Sequence, residues 1–213
     1  MKGLFITFEG TEGGGKSTQI ELLAGRVRAL GRVVRVLREP GGTPIGEEIR
    51  HTLKHSEVNY AMTAEAELLL MNASRAQLVR EVIRPALAAG EVVLCDRFYD
   101  STTAYQGLGR QLELARVRAV IDFAVGGTRP DRTLLLHVPL AVSEARRRAR
   151  QGATVVRDRM EEADRDFFAR VEQGFAAIAA AEPERVRVID ATADAATVSA
   201  RVWELVEPLL TSR

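Results

Sequence analysis

A glycine-rich segment near the start of the chain has the composition and spacing of a phosphate-binding loop. Residues 10–17 read Gly-Thr-Glu-Gly-Gly-Gly-Lys-Ser, in which two glycines separated by four residues precede a lysine and a hydroxyl residue. Glycines let successive backbone N–H groups point at phosphate oxygens, Lys16 reaches the β and γ phosphates, and the Ser17 hydroxyl ligates magnesium. The predicted ATP-binding residues are Gly10, Thr11, Glu12, Gly13, Gly14, Gly15, Lys16, Ser17 and Thr18.

The neighbouring sequence favours this interpretation over a glycine-rich turn that binds nothing. An apolar run precedes the segment and a helical pattern follows it, as a strand, a phosphate loop and a helix require.

A carboxylate and a guanidinium follow a second apolar run, residues 92–95. Ligands of open α/β sheets collect at the carboxyl ends of the strands, where Asp96 and Arg97 are expected to lie. Asp96 can hold the hydrated magnesium that Ser17 also ligates, and Arg97 can bind a phosphate through two parallel hydrogen bonds. An ion pair at the end of a strand is the alternative, and the phosphate loop makes a functional role the better interpretation.

Two further arginine groups stand beside turns. Arg38 opens the segment 38–43, Arg-Glu-Pro-Gly-Gly-Thr, which follows another apolar run and places its arginine at the same edge of the sheet. The second group flanks a short glycine-bearing loop, and we predict a lid over residues 146–159 that closes on ATP. Arg150 and Arg157 border that loop and are the favoured catalytic arginines, with Arg148 and Arg159 as alternatives at the same site. A plain turn and a solvated helix face are the structural alternatives.

The elements that position these side chains alternate between short apolar runs and helical patterns. Apolar runs buried on both faces and separated by helices are typical of a parallel sheet. The sequence therefore predicts an α/β fold, a three-layer α/β/α sandwich with a five-stranded parallel sheet, in one domain spanning residues 1–213. A long helix is expected over 63–89, with a kink in its last part at Pro85. The predicted strands cover residues 4–8, 33–37, 92–95, 133–138 and 186–189.

Composition argues against several classes of partner. Thirty basic and 29 acidic residues leave a formal charge of +1, so no overall field favours nucleic acid or a membrane surface. No segment approaches the roughly 18 apolar residues of a membrane span. Cys95, the single cysteine, lies in an apolar run and predicts a buried thiol in a reducing compartment, so a cytoplasmic location is expected.

With these pieces placed, the chain resembles thymidylate kinase from about residue 3 to residue 210. The resemblance implies a P-loop nucleoside monophosphate kinase fold, ATP-dependent conversion of thymidine monophosphate to thymidine diphosphate for dTTP synthesis, magnesium as the cofactor, and a homodimer. The segments that carry the resemblance are residues 8–18, 38–43, 74–77, 96–98, 101–107 and 129–131.

The resemblance also implies roles for individual residues. Glu12 matches an acidic residue that meets the acceptor sugar, Arg38 and Arg97 match arginines near the acceptor phosphate, and Arg75 matches the arginine that hydrogen-bonds the thymine edge. Tyr105 and Gln106 match residues beside the deoxyribose and the base, and Ser101 is also expected to bind the substrate. The chain departs from the family at the predicted base-site residue Met71, where relatives usually carry an aromatic residue that stacks on thymine. Because the phosphate loop carries Glu12 and no arginine, the chain resembles the members whose catalytic arginine lies in the lid.

Two other functions compete with thymidine monophosphate phosphorylation. The same fold could act on another nucleotide, a nucleoside or a small alcohol, but the base-facing arginine and the arginines near the acceptor phosphate favour a monophosphate. A nucleotide-binding switch would have no second substrate. The chain lacks the Asn-Lys-x-Asp sequence that specifies guanine, and its two arginine groups imply two phosphate-bearing ligands.

Overall fold

In the computed structural model, the described residues are 2–151 and 165–211, except for the side chains of residues 144 and 147–151. They form a five-stranded, all-parallel sheet with the strand order β2-β3-β1-β4-β5. The predicted sheet is confirmed, and each strand lies within one residue of the predicted bounds at either end. The strands are β1 (Leu4–Glu9), β2 (Val34–Arg38), β3 (Val92–Asp96), β4 (Arg132–His137) and β5 (Val186–Asp190).

Helices cover both faces of the sheet, which confirms the predicted three-layer sandwich. Shorter helical turns are a 3₁₀ turn at Asn59–Ala61 and π-helical segments at Val79–Ile83 and Thr103–Gly109. The α-helices are α1 (Lys16–Ala29), α2 (Pro44–Lys54), α3 (Ala64–Leu78), α4 (Arg84–Ala88), α5 (Tyr99–Thr102), α6 (Leu114–Val125), α7 (Leu140–Gln151), α8 (Arg165–Ala181) and α9 (Ala195–Thr211).

The central strand β1 contributes to the core on both sides of the sheet. Successive side chains of a strand point to opposite faces. Leu4, Ile6 and Phe8 pack with α1 and α9, whereas Phe5 packs against α3, α6 and the π-helical segment before α4. All six residues of β1 are buried, so the carboxyl end of this strand is held rigidly at the middle of the sheet edge.

The helix predicted over residues 63–89 is interrupted. It begins where the Thr63 hydroxyl accepts a hydrogen bond from the Ala66 N–H at 3.3 Å, but the α-helical pattern stops at Leu78 and resumes only at Arg84. Pro85 has no N–H to donate to the carbonyl four residues earlier, so the preceding turn widens into a π-helix. The perturbation therefore lies before the proline, whereas the kink was expected in the last part of the helix.

Two composition-based expectations can be compared with the described residues. Cys95 is completely buried, as predicted, and burial raises the pKa of its thiol well above the ordinary value. Among helices within residues 2–151 and 165–211, none has the length and apolar content needed to span a membrane.

Candidate functional site

Most of the predicted site residues line one cavity of about 410 Å³ at the carboxyl ends of β1, β2 and β3. This edge of an open parallel sheet is where ligands bind in such folds. From the phosphate loop the cavity is lined by Thr11, Glu12, Gly13, Gly15, Lys16, Ser17 and Thr18. It is also lined by the predicted metal ligand Asp96 and by the predicted acceptor-site residues Arg38, Met71, Arg75, Arg97, Ser101, Tyr105 and Gln106.

Glycines give the phosphate loop a path that other residues could not follow. Gly10 and Gly13 have φ angles of 125° and 82°, in the region that residues with side chains rarely adopt. A Cβ at Gly10 would lie 2.3 Å from the Leu136 carbonyl oxygen, and one at Gly13 would lie 2.6 Å from that of Ser143. The loop is therefore pressed against β4 and α7, with Gly10 and Gly14 shaping it although they do not line the cavity.

Lys16 is buried at the first turn of α1 and its ammonium bridges the loop. The Nζ atom donates hydrogen bonds to the carbonyl oxygens of Gly10 at 3.2 Å and Thr11 at 3.0 Å. Burial, with a further contribution from the charge of Arg97, lowers the pKa of Lys16 to about 8. A phosphate in the loop would supply the negative charge that favours the ammonium form.

Ser17 and Asp96, the two predicted magnesium ligands, lie side by side. The Ser17 hydroxyl donates a hydrogen bond to the Asp96 carboxylate at 3.0 Å. Two oxygen atoms that could ligate a metal, one from α1 and one from β3, therefore meet at one corner of the cavity. Within the described part of the chain, no group of three or more His, Cys, Asp or Glu side chains could hold a metal. Two protein oxygens fit magnesium, which keeps several waters and takes its other ligands from substrate phosphates.

Arg97 points into the cavity from a strained turn after β3. Its φ angle is 72°, which is unusual for a residue with a side chain. Its guanidinium donates to the Ser101 hydroxyl at 2.9 Å and to the Tyr105 hydroxyl at 3.4 Å. Burial opposes the charge, but Tyr105 and Glu9 raise the pKa of Arg97 above its ordinary value. Arg97 therefore remains charged and suited to binding a phosphate.

Arg38 approaches the same cavity from the end of β2. Its guanidinium is half exposed and donates to the Glu47 carboxylate at 2.8 Å. The other oxygen of Glu47 accepts the Gly42 N–H at 2.7 Å, and this bond, more than the contact with Arg38, lowers the pKa of Glu47. Thr43 caps α2 by accepting the Gly46 N–H at 2.9 Å. The segment thus forms the predicted turn and also holds the Arg38 side chain in place.

Arg75 is buried and all five of its N–H donors meet protein acceptors. Its Nε and one terminal nitrogen approach Glu39 at 2.8 and 2.7 Å. The other bonds go to Asn72, Thr102 and the Phe98 carbonyl oxygen at 2.8, 2.9 and 3.2 Å. Arg75 faces the cavity as the resemblance implies, but a base must share or replace one of these partners. The Thr102 hydroxyl can turn its own hydrogen toward such a base while its oxygen still accepts from Arg75.

The Arg75–Glu39 pair was missed because Glu39 was interpreted only as part of a turn. The available signal was physical, since a fully buried arginine needs a carboxylate partner. Burial raises the pKa of Glu39, and the contact with Arg75 opposes that effect. One Glu39 oxygen has no hydrogen-bond partner within the described protein.

Gln106 and Tyr105 lie in the π-helical segment after α5. The Gln106 amide donates to the buried Glu67 carboxylate at 2.7 Å, and Arg110 pairs with the other oxygen of Glu67 at 3.1 Å. The Tyr105 ring lies 5.1 Å from the Arg97 guanidinium. These contacts hold both predicted substrate residues in place at the wall of the cavity.

Several predicted residues belong elsewhere or lie outside the described residues. The backbone of Arg150 is in α7, but its side chain and the whole of Arg157 fall outside the described residues, so their catalytic role stays a prediction. Arg146 donates to the carbonyl oxygens of Ala191 and Thr192 at 2.8 and 3.0 Å and is a structural residue. Residues that line the cavity but were not predicted for the site include Arg50, Lys54, Leu140, Ser143 and Phe168.

Comparisons with known proteins point to one family. A family model described as thymidylate kinase matches residues 8–202. A thymidylate kinase of Pseudomonas fluorescens is 50% identical over 210 residues, which are 99% of this chain and 98% of the relative. A thymidylate kinase of Deinococcus radiodurans is 48% identical over 205 residues, 96% of this chain and 97% of the relative.

A solved structure extends the similarity to the fold. The crystal structure of thymidylate kinase from Ehrlichia chaffeensis superposes with a TM-score of 0.79 at 31% identity, covering 97% of this chain and 99% of that one.

Proposed function

Because this chain belongs to the thymidylate kinase family, we propose that it transfers the γ-phosphoryl group of ATP to thymidine monophosphate, giving thymidine diphosphate and ADP. The observation that supports this most directly is a cavity that joins two cationic groups, the phosphate loop with Lys16 and the pair Arg38 and Arg97. The first group suits the phosphates of ATP, and the second suits the phosphate of an acceptor. A nucleotide switch would need only the first group.

The chemistry requires positioning and charge and needs no covalent intermediate with the enzyme. The loop N–H groups and Lys16 hold the β and γ phosphates of ATP. Arg97 and Arg38 bind the phosphate of the acceptor and direct one of its oxygens at the γ phosphorus. That oxygen forms the new P–O bond as the bond to the β-phosphate oxygen breaks, and ADP leaves.

Magnesium is the cofactor that the proposed reaction requires, and Ser17 and Asp96 would hold it directly or through water. Bound there, the ion neutralises negative charge on the phosphates of ATP.

The acceptor base is proposed to lie over Met71, with its edge toward Arg75 and Thr102. Glu12 and Tyr105 would contact the sugar and Gln106 and Ser101 would complete the pocket, as in the family to which the chain belongs. A carbonyl at the base edge matches the donors of Arg75, whereas the amino group of cytosine would place donor against donor.

The catalytic arginine is proposed to come from the lid at about residues 146–159. Gly13 supports this assignment, because any side chain there would meet the Ser143 carbonyl oxygen, which disfavours an arginine at this point of the phosphate loop. Arg150 and Arg157 are the favoured residues, since a cation that reaches the moving phosphoryl group stabilises the transition state.

We further propose that residues 1–213 form one domain that acts as a cytoplasmic homodimer. Leu69 of α3 is 58% exposed and Phe123 of α6 is 82% exposed, and these helices pack against one another. Large apolar side chains on adjacent helices are typical of a surface that a partner covers. The buried lone thiol of Cys95 fits a reducing compartment. Light scattering of the parent and of Phe123→Glu would test the dimer, which only the variant should lose.

The reaction is tested by measuring ADP release with a panel of nucleoside monophosphates. Thymidine monophosphate should exceed deoxycytidine monophosphate in kcat/KM by about ten- to a hundredfold, because a thymine carbonyl can accept from Arg75 whereas the amino group of cytosine places donor against donor. ADP release without any acceptor should be slow. Equal efficiencies for the two monophosphates would contradict the proposed substrate, and rapid release without an acceptor would favour a nucleotide hydrolase.

Lys16→Ala tests the assignment of the phosphate loop. Its melting temperature should stay near that of the parent, while turnover should fall by more than about tenfold, equivalent to about 1.4 kcal/mol in the barrier. A folded variant with more than a tenth of parent turnover would contradict the assignment of the loop.

A further inference from the structure

Glu9 is a buried carboxylate that none of the roles described above uses. It is the last residue of β1 and is completely inaccessible to solvent. Its side chain does not line the cavity, although the loop and turns on either side of it do. A buried carboxylate is costly unless hydrogen bonds satisfy it, so its partners indicate what it is there to hold.

All the side-chain hydrogen bonds of Glu9 that the structure describes go to Phe98 and Ser101, in the turn after β3 and the short helix α5 that follows it. One carboxylate oxygen accepts the N–H groups of Phe98 at 2.7 Å and Ser101 at 3.3 Å. The other accepts the Ser101 hydroxyl at 2.6 Å. Glu9 therefore attaches the turn that carries Arg97 to the rigid central strand.

The same Ser101 hydroxyl links Glu9 to Arg97. While the hydroxyl donates its proton to Glu9, its oxygen accepts a hydrogen bond from the Arg97 guanidinium at 2.9 Å. Because the carboxylate fixes the direction of the O–H bond, the lone pairs of the hydroxyl oxygen are turned toward Arg97. A carboxylate at the far end of this chain of hydrogen bonds also polarises the hydroxyl, which strengthens its acceptance from the guanidinium.

The backbone of Arg97 needs such an attachment. Its left-handed conformation, with φ at 72°, persists only where the surroundings impose it. The Arg97 N–H donates to the Phe8 carbonyl oxygen at 2.9 Å, which fixes one end of the turn, and Glu9 fixes the rest. The carboxylate of neighbouring Asp100 accepts hydrogen bonds from Arg185 and Thr133.

We propose that Glu9 is a positioning residue that acts through Ser101 to hold the Arg97 guanidinium in the direction of the acceptor phosphate. This rests on the proposed function, in which Arg97 binds that phosphate. Glu9 itself touches no substrate. Its loss should therefore impair use of the acceptor far more than use of ATP.

The test is a double-mutant cycle of Glu9→Gln and Ser101→Ala, assayed at pH 8. Burial, followed by the charge of Asp100, raises the pKa of Glu9 to about 7, so the parent carries a carboxylate at pH 8. Glutamine keeps the shape and one acceptor oxygen but presents an N–H group where Ser101 now donates. Each single variant should lower kcat/KM for thymidine monophosphate by about ten- to a hundredfold while KM for ATP changes by less than about threefold.

Non-additivity is the decisive outcome of the cycle. If both residues act through one hydrogen-bonded path, the double variant should be no more than about threefold worse than the poorer single variant. Losses that multiply would overturn the proposal, as would a folded Glu9→Gln variant within about twofold of the parent. An equal rise in KM for both substrates would also overturn it, because it would show a general collapse of the site.

Matched variants separate positioning from stability. Thr7→Val removes a buried polar side chain from the same strand, whose hydroxyl bonds to that of Thr133 at 2.8 Å, and kcat/KM should remain near that of the parent. If Glu9→Gln does not fold, Ser101→Thr decides, because it restores a hydroxyl and should recover most of the efficiency lost in Ser101→Ala. Failure to recover would overturn the proposal.

The result also distinguishes this proposal from the proposed function. A parent enzyme that phosphorylates no monophosphate would overturn both. An active parent whose Glu9→Gln variant is unimpaired would overturn only the role of Glu9.

Discussion

Arg75 shows most clearly how the partners of one buried side chain determine the effect of its replacement on stability. Arg75 is 2% exposed, and removing one partner of a buried ion pair leaves an uncompensated charge in the interior. Arg75→Ala should therefore lower the free energy of unfolding by about 3–5 kcal/mol, in addition to reducing the preference for thymidine monophosphate.

Denaturant unfolding of Arg75→Ala, of Glu39→Gln and of the double variant measures this coupling. The double variant should recover part of the lost stability, because the neutral amide does not need a counter-charge. A double variant that is less stable by the full sum of the two single effects would show that the pair is not coupled.

Met71 allows a second prediction about a single side chain. It lies one helical turn before Arg75 and lines the same cavity. An aromatic ring stacks on any base and loses little entropy on ordering, so Met71→Phe should tighten binding of thymidine monophosphate by about 1 kcal/mol. The ratio of kcat/KM between thymidine and deoxycytidine monophosphates should barely change. Calorimetric titration checks the affinity, and weaker binding would show that the cavity has no room for the ring.

Some residue roles could be predicted from local sequence and others could not. Lys16 and Ser17 belong to a short pattern whose spacing indicates phosphate and magnesium chemistry, and Asp96 was predicted as a magnesium ligand because it follows an apolar strand beside that pattern. The partners of Arg97 and Arg75 are different, because Glu9 and Glu39 lie far from them in the chain. Only the fold brings these carboxylates to the arginines, so no local pattern could have paired them.

At the scale of elements, the strands were predictable because each is a short apolar run between helices, and burial on both faces produces that run directly. The π-helical interruption at Val79–Ile83 was not predictable, since its cause, Pro85, lies beyond the residues that it distorts. This region matters for the site because α3, which carries Met71 and Arg75, ends at the interruption.

Two glycines inside helices should respond in opposite ways to replacement by alanine. At Gly25 in α1, a Cβ would meet no atom within 4 Å, so Gly25→Ala should stabilise the protein by about 0.5–1 kcal/mol. At Gly174 in α8, the Cβ would lie 3.0 Å from the Cα of Ala104, and crowding in a packed core costs about 1–3 kcal/mol.

Urea denaturation of these two variants tests whether α8 is packed as tightly as the structure shows. Gly174→Ala should also lower kcat/KM, because the displaced Ala104 precedes Tyr105. A Gly174→Ala variant as stable as Gly25→Ala would mean that the π-helical segment can move away from α8 without cost.

For the molecule as a whole, Cys95 provides a direct measure of opening. It is the single cysteine, lies on the central part of the sheet in β3, and is completely buried. A thiol reagent needs the thiolate, and burial both blocks access and raises the pKa. Under native conditions, labelling should be slower by several orders of magnitude than in denaturant, since it requires opening of the sheet. Mass spectrometry measures it, and rapid stoichiometric labelling of the folded protein would contradict the packing.

The position of β1 at the centre of the sheet also affects how the chain folds as it is made. Of the five strands, β1 leaves the ribosome first, but its neighbours pair from Val92 and Arg132, and β2 cannot substitute for them because β3 lies between. At about 5–20 residues per second, the roughly 80 residues between β1 and β3 take about 4–16 seconds to synthesise. During that interval the apolar residues of β1 have no native strand beside them, and α1 can cover only one face. A lower growth temperature or chaperone binding to the nascent chain should therefore affect the yield of folded protein most before β3 emerges.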